Sequence, residues 1–82
     1  MSEFSKFLYK KYEEKSKTEK VSIRCLAKKL GISHNYLGQI LQGKVSAPEG
    51  KIQQQLANEL IPQEEKNRFY DLAAKDRRRN SN

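Results

Sequence analysis

Apolar residues recur along the chain at intervals of three and four, the spacing of one face of an α-helix. Phe4, Phe7, Leu8 and Tyr12 mark the inner face of a first helix, with Lys6, Lys10, Glu13 and Glu14 on its polar side. Ser2 is one of the residues able to cap its start. The run from Ser16 to Lys20 has no apolar residue and reads as a solvated connection. Ser22 then precedes Ile23, Leu26, Ala27 and Leu30, the i, i+3, i+4, i+7 stripe of a short second helix with an N-cap residue in front. Gly31 suits the left-handed conformation that ends helices. Ser33 caps a third helix whose buried stripe is Leu37, Ile40 and Leu41, and Gly43 closes it.

A loop from Lys44 to Pro48 follows, with Pro48 placed in the first turn of a fourth helix, where its missing N–H does no harm. Ile52, Leu56 and Leu60 carry that helix's stripe, with Ala57 beside it, and Pro62 breaks the period. Gln63, Glu64 and Glu65 put negative charge in the first turn of a fifth helix, where its dipole favours it. Phe69, Leu72 and Ala73 form the inner face of that helix, and Arg77 to Arg79 lie at its C-terminal end. No segment reads as a strand or a repeat. The pattern therefore predicts an all-α chain, a small five-helix bundle. Residues 1–76 form its single domain and residues 77–82 a basic, disordered tail.

Only Gly31 and Ile32 separate Leu30 from Ser33. Helices joined so tightly cannot lie antiparallel and must cross steeply, so residues 22–43 read as a helix-turn-helix. Ala27 is small enough to let the two helices approach, and Ile32 plugs the angle between them. The outer face of the third helix is then free to enter a DNA major groove.

Composition narrows the function. The 82 residues carry a net charge of +7 and are 35% hydrophobic, enough for one modest core. There is no apolar run of ~20 residues to span a membrane, and no uninterrupted apolar segment of a signal peptide near the N-terminus. One cysteine, Cys25, cannot form an internal disulfide, so a cytoplasmic address is expected. Cys25 and the single histidine, His34, cannot build a zinc site. No supported Ser–His–Asp set, HExxH motif or glycine-rich phosphate loop is present. No metal, no cofactor and no enzymatic activity are expected. The positive charge is uneven: ten Lys/Arg face four Asp/Glu up to Lys44, against seven and six beyond it. A phosphate-facing surface is therefore sought in the first half.

The text "LAKKLGIS–NYLGQILQGK", followed by an Ala-Pro loop and "LANEL", resembles the Cro/CI-type (XRE-like) helix-turn-helix regulators of bacteria and phages. The resemblance spans roughly 21–60, with a looser match at "FYDLAAK". It implies a lambda-repressor-like bundle, a recognition helix beginning at Ser33, and a homodimer on a palindromic double-stranded DNA operator. The family's base-reading positions fall on His34, Asn35 and Gln39. Asn and Gln amides pair bidentately with adenine, and a histidine can donate to a base edge or, protonated, to phosphate. The phosphate and flanking positions fall on Ser22, Ser33, Tyr36, Gln42 and Lys44. Ile23 stands where the family often has a glutamine clamp, leaving Arg24 as its substitute. Leu41 replaces an acidic residue common in the family, and the spacer between the first two helices reads as longer than usual.

Blander readings stand beside these. His34, Asn35 and Gln39 also suit a solvated helix face, and Tyr36 suits core packing against Leu26. Lys28 and Lys29 fit a solvated face that complements the helix dipole. Lys17 and Lys20 reach flanking phosphates or water. Cys25 fits burial or partial exposure, with no redox partner. Phe69, Tyr70 and Leu72 complete the core or pack across a dimer axis. Arg77 to Arg79 form a charged tail or a DNA-reaching arm. The expected function is a sequence-specific transcriptional regulator, a repressor of a phage, mobile-element or small-operon promoter, open to control by a regulatory protein partner. The alternative is a protein-interaction module of the same fold, such as an antitoxin or a phage-encoded inhibitor of a host protein.

Overall fold

The first three helices each begin at a serine whose side chain accepts a backbone N–H three residues on. Ser2 accepts from Ser5, Ser22 from Cys25 and Ser33 from Tyr36, each at 3.1 Å. Such a cap contributes about 1 kcal/mol. The structure, a computed structural model, describes residues 2–79. They form α1 (Glu3–Glu19), α2 (Ile23–Leu30), α3 (His34–Gln42), α4 (Lys51–Leu60), a 3₁₀ turn (Gln63–Glu65) and α5 (Lys66–Arg79). No strand occurs among them, and no helix is long and apolar enough to cross a membrane.

The connection between α2 and α3 follows from two backbone hydrogen bonds. Gly31 takes φ 72°, and the Ile32 N–H bonds the Ala27 carbonyl at 3.0 Å while the Gly31 N–H bonds Lys28 at 3.2 Å. This closes the helix C-terminus as a Schellman motif, with Ile32 turned back onto the core as its apolar partner. The end of α3 repeats the arrangement, with Gly43 bonding Ile40 and Lys44 bonding Gln39.

The interior is continuous across all five helices. Leu8 of α1, Leu26 of α2, Leu37, Ile40 and Leu41 of α3, Leu56 of α4 and Phe69 of α5 are each at most 1% exposed. α1 is the central element and packs on α3, α4 and α5, while α2 packs on α3 and α4. The Phe4 and Phe69 rings meet at 5.5 Å and 45°, tying the start of α1 to α5. Lys11 Nζ reaches Glu65 Oε2 at 2.7 Å, and Lys15 pairs with Glu59. The Glu65 hydrogen bond holds the Lys11 ammonium above the ordinary lysine pKa.

Three sequence expectations are corrected. First, α1 runs on to Glu19, so the connection to α2 is Lys20–Ser22 and not the longer spacer. Its last turn needs no apolar face: Lys15 anchors it to α4 by bonding the Glu59 carbonyl, and the Thr18 hydroxyl donates to the Lys15 carbonyl. Lys20 ends it at φ 52°, a left-handed conformation uncommon outside glycine. Second, Pro48 does not open α4, which starts at Lys51. The Ala47 N–H donates to Asp76 Oδ2 at 2.8 Å and the Pro48 carbonyl accepts from Arg77 Nη1 at 2.9 Å, so both residues are held to α5 in the loop. Third, residues 77–79 belong to α5 and not to a tail. Half-buried Arg77 also bonds Gln53 Oε1 at 2.6 Å, which excludes it from a free DNA-reaching arm. Residues 80–82 lie outside the described residues.

Gly50, the cap of α4, sits at φ 69°, ψ −136°, a region that side chains avoid. A Cβ there would meet nothing within 4 Å, so space is not the constraint. Gly50→Ala should therefore cost about 1–3 kcal/mol in denaturant unfolding through backbone strain alone. An unchanged midpoint would show that the loop relaxes at no cost.

Candidate nucleic-acid interface

The serine caps and the glycine closure hold α3 so that Leu37, Ile40 and Leu41 point inward and are buried. The opposite surface follows from helix geometry. At about 100° per residue, Asn35, Gln39 and Gln42 project within about 60° of one another. All three are exposed. His34, also exposed, lies at the flank of this face in the first turn. His34, Asn35, Gln39 and Gln42 make no side-chain hydrogen bond or ion pair to other described residues, so their polar groups are open to a ligand. Gln42, assigned from the sequence to a flanking contact, thus shares the face of Asn35 and Gln39.

Ser22 and Ser33 are exposed and use a lone pair to cap their helices, which leaves the hydroxyl proton available to a phosphate oxygen. Arg24 and Lys44 are exposed. Tyr36 is half-buried and packs against the core, which favours the packing reading for its ring. Cys25 is exposed, because Leu26, Ala27 and Leu30 take the inner face of α2. Lys17, Lys20, Lys28 and Lys29 are all exposed. Phe69 and Leu72 are core residues, and Tyr70 packs on the core at its edge.

Two features escaped the sequence reading. Gly38, half-buried, lies on the flank of α3 between Gln42 and His34, about 60° from Asn35 and about 100° from Gln39, and a Cβ there would meet nothing within 4 Å. Glycine within a helix costs roughly 1 kcal/mol relative to alanine, and no packing contact in the chain accounts for it. It leaves bare backbone at the edge of the amide face, on the side of His34. The uneven charge expected from the sequence is sharper at closer range. From Lys20 to Pro48 the chain has five Lys/Arg and no Asp or Glu. The ion pairs among the described residues join α1, α4, α5, the 3₁₀ turn and the loop before α4. None of these pairs involves a residue of α2 or α3.

The buried Asp76 carboxylate was also missed, although it falls on the stripe of Phe69, Leu72 and Ala73 one turn further on. It holds the loop that leaves α3. Among the described residues no cluster of His, Cys, Asp and Glu could hold a metal ion. Compared with protein-family models, curated proteins and solved structures, the chain matches none of them.

Asp76→Ala leaves the buried Ala47 N–H without this acceptor and should destabilise the protein by about 1–3 kcal/mol in urea unfolding. Asp76→Asn keeps a carbonyl acceptor and should recover part of that loss. Equal losses in the two variants would mean that the carboxylate charge, and not the N–H bond, is what matters.

Proposed function

We infer that this chain is a sequence-specific double-stranded DNA-binding protein that regulates transcription, with α2 and α3 acting as a helix-turn-helix in a lambda-repressor-like bundle. The observation that carries the reading is the unpartnered amide face of α3, Asn35, Gln39 and Gln42 with Gly38 at its edge, set in a segment with cations and no carboxylates. A major groove admits one helix, and its adenine edges offer the acceptor–donor pair that an Asn or Gln amide matches. Asn35 and Gln39 are the base readers, with His34 at the entering end. Arg24, Lys44 and the hydroxyls of Ser22 and Ser33 meet phosphates and set the register, while Gln42 extends the amide face.

The two contributions divide by chemistry. Phosphate contacts supply affinity that falls steeply with salt. The amides are neutral and supply choice between sequences. The resemblance to Cro/CI-type regulators adds a homodimer on a palindrome, with half-sites about one helical turn apart. It also adds repression of a phage, mobile-element or small-operon promoter. A protein with no attached ligand-binding unit in these residues would act by occupancy, concentration or a protein partner.

Selection from a random DNA pool followed by gel shift tests the reading. A palindromic consensus is expected, and Asn35→Ala and Gln39→Ala should each cost about 1–3 kcal/mol on it while relaxing the preference at one position. Gly38→Ala should stabilise the fold by about 0.5–1 kcal/mol yet weaken binding to the selected site. No preference over random DNA, or binding unchanged in all three variants, would reject it.

A further inference from the structure

A second surface lies on the flank of α1 turned away from α2. The Tyr12 hydroxyl donates to the Val21 carbonyl on the approach to α2. Lys11, about 100° round the helix from Tyr12, turns to Glu65. On that side α1 and α5 enclose a groove of about 510 Å³. Half-buried Phe7 and the edge of Leu72 form its floor. The Lys11 ammonium and the Arg68 guanidinium stand 5.6 and 5.5 Å from the centre of the Phe7 ring. Lys11 is already matched by Glu65 and Glu14. Lys6 and Lys10, one turn apart on the rim, are exposed and make no ion pair among the described residues.

We propose that this groove docks an acidic, partly apolar segment of another protein, its carboxylates on Lys6 and Lys10 and an apolar side chain on Phe7. The unmatched ammoniums supply the charge complementarity, and the Phe7 ring in the same groove supplies apolar area that a carboxylate alone would not use. A nucleic acid fits less well. Its charge recurs at every phosphate, whereas the groove pairs its cations with the Phe7 ring and the edge of Leu72. A second copy docking through the same face would set Lys6, Lys10 and Arg68 against themselves. None of the residues lining the groove belongs to α2 or α3, so this inference does not rest on the DNA-binding reading.

The test is an NMR titration of the full chain at about 0.15 M salt, where weak long-range attraction is screened. The probes are a short peptide of Glu-Glu-Leu repeats, a Lys-Lys-Leu control and a random DNA duplex. The acidic peptide should move the amides of Lys6, Phe7, Lys10 and Arg68, and the basic control should move none. Lys6→Glu with Lys10→Glu, both at exposed sites, should weaken the acidic peptide about tenfold or more, while Lys28→Glu should leave it unchanged. Shifts mapping elsewhere, affinity unaffected by the double reversal, or groove amides that respond to the duplex and not to the peptide would overturn the proposal. A failure of the DNA-binding reading would show instead in the α3 amides, which the duplex alone should move.

Discussion

Everything on the outer surface of α3 depends on how its inner surface is held against α2. Leu26, Ala27 and Leu30 face Leu37, Ile40 and Leu41 in one buried cluster, and Gly31 turns the chain between them in the space of three residues. With so short a link, the two helices have little freedom to slide or pivot. Ile32 packs on the same cluster and removes more of it. The consequence is geometric. Once Leu37, Ile40 and Leu41 are inside, Asn35, Gln39 and Gln42 have no other place than the outside of the helix.

The charge follows the same division. Away from α2 and α3, three cations serve the fold: Lys11 and Lys15 fasten α1 to the elements beneath it, and Arg77 clasps the loop before α4. Around α2 and α3 the cations have no acidic neighbour in the segment from Lys20 to Pro48. Of the net charge of +7, +5 falls in that segment. It is concentrated by the absence of carboxylates where the helix face is most polar and least engaged. The Phe7 groove is a different kind of surface, with an aromatic floor and mixed charge, and it fits a different kind of partner.

Most of the helical frame was legible because its signals are local. Ser22, Ser33, Gly31 and Gly43 act on backbone groups within five residues, and the structure bears out each of them. The errors came where distant residues decide the conformation. Pro48 is well suited to open a helix, but Asp76 and Arg77, on the far side of the chain in sequence, hold Ala47 and Pro48 in the loop. The last turn of α1 looked like a linker because it lacks apolar residues, yet Lys15 secures it through a carbonyl of α4. At the site, helical period was enough to put Asn35 and Gln39 on one exposed face. It was not enough to draw notice to Gly38 at the edge of that face, since an absent side chain adds nothing to the apolar or polar pattern.

The central claim is that α2 and α3 form one rigid unit carrying that face. Native-state hydrogen exchange measures this directly, residue by residue, at increasing denaturant. The amides of Leu30, Ile40 and Leu41 should exchange with the free energy and denaturant slope of global unfolding, together with the Phe69 amide in α5. Exchange of the α3 amides through a local opening well below the global value, with little dependence on denaturant, would contradict the account: the amide face would then be carried by a helix that detaches from its support.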